Sequence, residues 1–192
     1  MIVGLTGKYC AGKDRVAGIF AAQGFRVIDV DALGHDALAA RSAQIIEIFG
    51  RSLATDDGGV NRRALGRIVF GNPAALARLE AILHPAMVQR VKEIIAEGGS
   101  DVVVNAAILH HMGLHVLCRA VVCVKAPLPA RLVRAMRRDS LPLRDALARI
   151  TSQKGICPQL NDPAVDTYSV RNMGSARSLE ARVARLAQRL RG

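Results

Sequence analysis

Apolar residues are distributed along the chain in two patterns. Short, mostly continuous apolar runs bounded by glycine or polar residues are typical of strands buried in a parallel sheet. Such runs predict five strands, at residues 2–6, 25–29, 101–105, 120–124 and 165–170. Between them, apolar residues three and four positions apart predict helices at residues 13–22, 31–40, 42–50, 61–70, 73–96, 127–139, 143–153 and 176–191. Pro85 falls inside the longest helix and is expected to kink or restart it. Strands that alternate with helices predict an α/β three-layer fold with a parallel five-stranded sheet.

The junction between the first predicted strand and the first predicted helix carries the most specific motif. It consists of Gly7, Lys8, Tyr9, Cys10, Ala11, Gly12, Lys13 and Asp14. Glycines at both ends allow the backbone N–H groups of the loop to point inward at phosphate oxygens, and the helix N-terminus adds a partial positive charge. Lys13 can reach the β- and γ-phosphates of a nucleotide. We therefore predict that this segment is a phosphate-binding loop.

Acidic residues near this loop are candidates for metal binding and proton transfer. Asp14 stands where such loops normally have a serine or threonine that ligates Mg²⁺; it either replaces that ligand or impairs catalysis. Asp29 and Asp31 follow the second predicted strand, at the sheet edge that faces ligands. Asp29 is a second candidate Mg²⁺ ligand, and Asp31 either accepts a hydroxyl proton or caps helix 31–40. The third strand ends in Asn105, so no acid stands at that strand end.

Composition and charge narrow the possible classes of protein. The chain has 192 residues, of which 51% are hydrophobic and 22% charged, which favours one compact domain and excludes a disordered chain. No apolar stretch is long enough for a membrane span, no secretory signal is visible, and the 4 cysteines form no CxxC pair, so a reducing, cytoplasmic setting is expected. The net charge of +11 is concentrated in residues 125–192, which carry 14 basic and 5 acidic side chains. Such a region binds phosphates, either on a small molecule or on nucleic acid.

Helix 127–139 contributes arginines to this basic region. Arg131, Arg134 and Arg138 share one helix face. Arginines in such an arrangement serve small-molecule kinases as a lid that neutralises a transferring phosphoryl group and excludes water. The alternative is a solvated helix face.

With these residues identified, the chain resembles the dephospho-CoA kinase family over nearly its whole length. The resemblance rests on GKYCAGK at residues 7–13, VIDVDALGHDAL at 27–38, RRALGRIVFGNPAALARLEAILHPAM at 62–87, ARLVRAMRRDSLPLRDALARITSQ at 130–153, and Asn172. It implies a P-loop NTPase fold in a single domain, residues 1–192. The core would comprise residues 1–30, 98–126 and 156–192, a helical acceptor-binding subdomain residues 31–97, and a lid residues 127–155. The chain departs from the family at Asp14 and at NAAILHH (105–111), where the family usually has Pro-Leu-Leu with a nearby glutamate.

The resemblance also implies an activity. ATP, with Mg²⁺, would phosphorylate the ribose 3′-hydroxyl of dephospho-CoA to give CoA and ADP, the last step of CoA biosynthesis. Lys13, Asp31 and Arg138 would be catalytic, and Asn172 would lie near the adenine. The expected partner is this small molecule, with no nucleic acid or membrane, and the protein is expected to be a monomer or weak homo-oligomer. The alternatives are a catalytically impaired nucleotide-binding homologue, a kinase for another nucleoside or nucleotide, and a nucleic-acid-binding protein that uses the basic C-terminal third.

Overall fold

The central feature of the protein is a parallel sheet. A computed structural model describes residues 1–152 and 165–192. The strands are β1 (Ile2–Gly7), β2 (Arg26–Asp29), β3 (Val102–Asn105), β4 (Ala120–Lys125) and β5 (Asp166–Arg171). They lie in the order β2-β3-β1-β4-β5, and all neighbouring pairs are parallel. The predicted α/β fold with a parallel five-stranded sheet is confirmed.

Helices connect these strands at nearly the predicted positions. They are α1 (Lys13–Ala22), α2 (Val30–Ala40), α3 (Ser42–Phe49), α4 (Arg62–Val69), α5 (Pro73–Ala96), α6 (Leu128–Asp139), α7 (Leu143–Ser152) and α8 (Ala176–Arg191). Helix α5 continues through Pro85, so it does not restart there, and the alternative of a kink at this proline stays a prediction. Proline removes one backbone donor, but the buried side chains of Ile82 and Met87 on either side of it keep both halves of the helix packed.

The chain divides into two compact units. The first comprises Met1–Asp29 and Gly98–Gly192, and the second comprises Val30–Glu97. The boundary between lid and core that was expected at residues 155 and 156 lies outside the described residues. So does Gln153, one of the residues on which the resemblance rests. No helix in the described part of the chain combines the length and hydrophobicity that crossing a membrane requires.

The first unit buries the central strands of the sheet. Helices α1 and α8 pack against one face, where Phe20 and Val183 are fully buried in one apolar cluster. Leu109 packs on β1 so closely that a Cβ added at Gly4 would lie 2.6 Å from its Cδ2 atom. Burial on this scale fixes the strand ends, which carry the functional residues described below.

The second unit is helical and has its own core. Asn61 and Asn72 cap α4 and α5, because their side-chain oxygens accept hydrogen bonds from Ala64 N at 3.0 Å and Ala75 N at 3.1 Å. One apolar cluster of this unit consists of the buried side chains Ile45, Leu53, Leu65, Val69, Ala75, Leu79 and Ile82.

Candidate functional site

The loop between β1 and α1 has the geometry of an anion-binding loop. Cys10 and Gly12 adopt positive φ angles of 57° and 91°. Left-handed residues among right-handed ones turn successive backbone N–H groups to one side, where they can surround an anion. Only glycine suits position 12, because a Cβ there would lie 2.1 Å from Asn172 Nδ2.

Lys13 is held in place by the end of the neighbouring strand. Its Nζ atom donates to Asn105 Oδ1 at 2.7 Å, and its side chain is 10% exposed. The Nδ2 atom of Asn105 donates in turn to Asp14 Oδ1 at 3.3 Å, and Lys13 Nζ lies 3.3 Å from the same oxygen. Asn105 therefore fixes both the lysine and the acid. The loop motif alone gives Asn105 no role, although a polar residue that ends a central parallel strand is a recognisable signal for a ligand site.

Asp14 is kept ionised by this arrangement. Partial burial on its own raises the pKa of Asp14, but the charge of Lys13 and the hydrogen bond from Asn105 outweigh it, so the pKa lies below its ordinary value. The charge of Arg138 acts in the same direction. The site therefore holds a negatively charged oxygen donor beside the phosphate loop at neutral pH.

Two arginines of α6 donate hydrogen bonds to backbone carbonyls of the loop. Arg131 Nε donates to Tyr9 O at 2.8 Å, and Arg134 Nη1 donates to Cys10 O at 3.3 Å and Ala11 O at 3.2 Å. These carbonyls point away from the anion-binding side of the loop when its N–H groups point inward. The arginines thus support the loop through its backbone oxygens, a role that their spacing on the helix does not predict.

Arg138 lies at the end of the same helix, against Tyr9. Its guanidinium carbon is 5.1 Å from the centre of the Tyr9 ring, and its Nε donates to Asp139 Oδ1 at 2.9 Å. The Tyr9 hydroxyl donates to the other oxygen of Asp139. Arg138 is thereby positioned next to the loop by an aromatic ring and a carboxylate.

Asn172 connects the loop to the end of β5. Its Nδ2 atom donates to Ala11 O at 2.8 Å, and its backbone N–H donates to Lys125 O at 2.7 Å. Asn172 is 7% exposed, so it belongs to the frame of the loop. Its expected position near an adenine stays a prediction.

The two acids after β2 lie in different units. Asp29 ends β2 in register with Asn105 of β3, at the same edge of the sheet. Asp31 lies in the first turn of α2, which begins at Val30. The helix begins one residue earlier than expected, so Asp31 lies within its first turn, and the choice between helix cap and proton acceptor stays a prediction.

The loop, the lysine fixed on the neighbouring strand and the parallel sheet define a P-loop nucleotide-binding protein. A family model described as Dephospho-CoA kinase matches residues 1–175. The chain belongs to the dephospho-CoA kinase family.

Individual relatives agree with this assignment. A dephospho-CoA kinase of Anaeromyxobacter dehalogenans is 36% identical over 198 residues, which cover 100% of this chain and 92% of the relative. The crystal structure of a protein from Thermus thermophilus has 30% sequence identity and a TM-score of 0.83, covering 100% of this chain and 98% of the other. A dephospho-CoA kinase from Campylobacter jejuni has 24% identity and a TM-score of 0.66, covering 98% and 96%, and shares the fold.

Proposed function

We propose that this protein transfers the γ-phosphoryl group of ATP to the ribose 3′-hydroxyl of dephospho-CoA, giving CoA and ADP. This reaction completes CoA biosynthesis. The observation that carries the proposal is the loop with Lys13 fixed on Asn105 at 2.7 Å, in a chain that belongs to the dephospho-CoA kinase family. A lysine held at this position presents its charge to the β- and γ-phosphates without having to be ordered during the reaction.

The donors of this site fit Mg²⁺. Asp14 presents a side chain that is 76% exposed beside the loop, and Asp29 lies at the same sheet edge as Asn105. Mg²⁺ binds through one or two carboxylates and substrate phosphates while it retains several waters. Asp14 and Asp29 would hold the ion, which when bound neutralises charge on the β- and γ-phosphates.

The transfer itself requires few groups of the protein. As the 3′-oxygen bonds to the γ-phosphorus and the bond to the β–γ bridging oxygen breaks, Asp31 accepts the hydroxyl proton. Lys13 and Arg138 stabilise the negative charge on the transferring group. Residues 31–97 bind the acceptor, residues 127–155 form the lid that excludes water, and Asn172 lies near the adenine.

Lys13 provides the test of this proposal. In Lys13→Met we expect the production of CoA from ATP and dephospho-CoA, followed by mass spectrometry, to fall by about a thousandfold. Arg185→Met, which likewise replaces one exposed cation but on α8, outside the acceptor-binding segment and the lid, serves as the control and should keep wild-type turnover.

The same assay separates the alternatives. ATP binding without any ADP release by the wild-type protein would indicate an impaired homologue, and faster turnover with another nucleoside or nucleotide would indicate a different acceptor. Wild-type turnover in Lys13→Met would show that the loop is not the phosphate site.

A further inference from the structure

A second cationic cavity lies beside the phosphate loop. Gly7 of β1 and Val124 of β4 are paired across the sheet, so Lys8, which follows β1, lies beside Lys125, which ends β4. A cavity of about 340 Å³ opens at this point. It is lined by Lys8, Val124, Lys125, Ala126 and Arg131.

Among the described residues, the positive charges around this cavity have no counter-charges. The ammonium groups of Lys8 and Lys125 make neither an ion pair nor a hydrogen bond within the described residues. Arg131 is 6% exposed, and although its Nε donates to Tyr9 O, its buried Nη2 atom has no hydrogen-bond partner in the part of the chain that the structure describes. A buried guanidinium with an unused donor is costly, because removal from water is offset only by new hydrogen bonds.

An oxyanion is the ligand that suits such a cavity. Three cations around one cavity repel each other, and an anion between them removes this repulsion. Lysines provide point charges for phosphate oxygens, and a guanidinium adds directed N–H donors.

This cavity shares Lys8 with the phosphate loop but lies on a different side of β1 from Lys13. Lys13 and Asn105 lie on the side of β1 that faces β3, whereas Lys8 and Lys125 lie on the side that faces β4. The cavity can therefore bind a phosphate group other than the one that the loop surrounds.

We propose that Lys8, Lys125 and Arg131 form a second oxyanion subsite, which binds a phosphate group while the loop is occupied by nucleotide. This bound phosphate group belongs either to the diphosphate of the acceptor or to free phosphate. The assignment to the acceptor rests on the proposed function, whereas the subsite itself rests on the cavity and its charges.

The binding test uses inorganic pyrophosphate and the intact chain saturated with ADP. Calorimetric titration should detect pyrophosphate binding to the wild-type protein, and Lys125→Gln should weaken it by about tenfold, as expected for the loss of one charged hydrogen bond. Arg119→Gln is the matched control: it removes the same charge from an exposed residue just before the other end of β4, and binding should not change. The absence of pyrophosphate binding, or equal binding by wild type and Lys125→Gln, would overturn the proposal.

A kinetic test identifies the source of the phosphate. If the subsite binds the acceptor, Lys125→Gln raises the KM for dephospho-CoA by about tenfold and leaves the KM for ATP unchanged. If pyrophosphate binding weakens but neither KM changes, the subsite binds free phosphate. A rise in the KM for ATP alone would overturn the proposal, because Lys125 would then act on the nucleotide. If the wild type does not phosphorylate dephospho-CoA but pyrophosphate binding still depends on Lys125, the proposed function fails and the subsite remains.

Discussion

Asp14 and Asn105 carry chemical groups that are exchanged relative to the usual arrangement of a phosphate-loop site. Such sites generally place a hydroxyl at the loop position and a carboxylate at the strand end. Here the loop position has the carboxylate, the strand end has the neutral amide, and the two are hydrogen-bonded at 3.3 Å. This pair of positions thus keeps one carboxylate and one neutral polar side chain, and Asp14 is the member of the pair that supplies the negative charge.

We expect Asp14→Ser to raise the Mg²⁺ concentration required for half-maximal activity by about tenfold, because the site loses one of the two carboxylates that would hold the ion. The double variant Asp14→Ser/Asn105→Asp should recover most of this loss, since it restores one carboxylate on the opposite partner. Titration of Mg²⁺ into the ADP complexes measures the same change without turnover. Asp166→Asn, at the start of the edge strand, controls for the loss of one charge. If the single and double variants require equally raised Mg²⁺ concentrations, the idea that Asp14 and Asn105 have exchanged roles is wrong.

At the level of secondary-structure elements, helix α6 acts as a support for the phosphate loop. Arg134 donates to the carbonyls of Cys10 and Ala11, and its Nη2 atom lies 3.4 Å from Asn172 O. One side chain thus connects α6, the loop and the residue after β5. Because we propose that the loop binds phosphate through its N–H groups, we expect that fixing its carbonyls helps to keep those groups directed at the ligand.

We expect Arg134→Met to raise the KM for ATP by about tenfold and to lower the melting temperature by about 2–4 °C, because Cys10 O loses the hydrogen bond from Arg134 and Ala11 O keeps only the one from Asn172, at a cost of about 1 kcal/mol. Arg137→Met, the same change at an exposed position of α6, should alter neither quantity. Steady-state kinetics and thermal unfolding provide the two measurements. A lower kcat with an unchanged KM for ATP would instead indicate that Arg134 acts on the transferring phosphoryl group.

The elements were predictable from the sequence because each depends on a local pattern. Buried parallel strands are continuous apolar runs, and the observed β4 (Ala120–Lys125) extends the predicted strand by one residue. The loop was predictable because its residue types are fixed by backbone geometry. The roles of Asn105 and Arg134 were not predictable. The role of Asn105 depends on the strand register that brings the end of β3 beside the loop, and the role of Arg134 depends on the packing of α6 against the loop. The continuity of α5 through Pro85 depends likewise on tertiary packing.

At the level of the whole molecule, much of the basic excess is used within the fold. Several arginines of the C-terminal third donate to backbone carbonyls of the protein itself; they are Arg131, Arg134, Arg182 and Arg191. Their charges therefore contribute to the scaffold as well as to the surface potential. A count of charges along the sequence does not distinguish these two uses, and for that reason it left binding to nucleic acid open as an alternative.

Asp101 connects distant parts of the first unit through two charged contacts. Its Oδ1 accepts from the Met1 ammonium at 2.8 Å, and its Oδ2 accepts from Arg191 Nε at 2.7 Å. Arg191 also donates to Gln23 O at 2.9 Å, so the contacts join β1, α8 and the turn after α1. The hydrogen bond from the ammonium group, followed by that from Arg191, holds the pKa of Asp101 below its ordinary value.

The lowered pKa of Asp101 fixes how its contribution to stability depends on pH. A carboxyl group with a lowered pKa in the folded state stabilises the protein above its ordinary pKa, and this stabilisation is lost as the pH falls through the folded value. We expect Asp101→Asn to lower the free energy of unfolding by about 1 kcal/mol at neutral pH, a modest value because both partners are partly exposed. Urea unfolding from pH 7 to about pH 2.5 should show this difference shrinking as the wild-type carboxylate becomes protonated. Asp56→Asn, in an exposed turn, should show no such difference at either pH. A difference that persists unchanged at low pH would mean that Asp101 acts through packing, and its charged contacts would then contribute nothing to the stability of the fold.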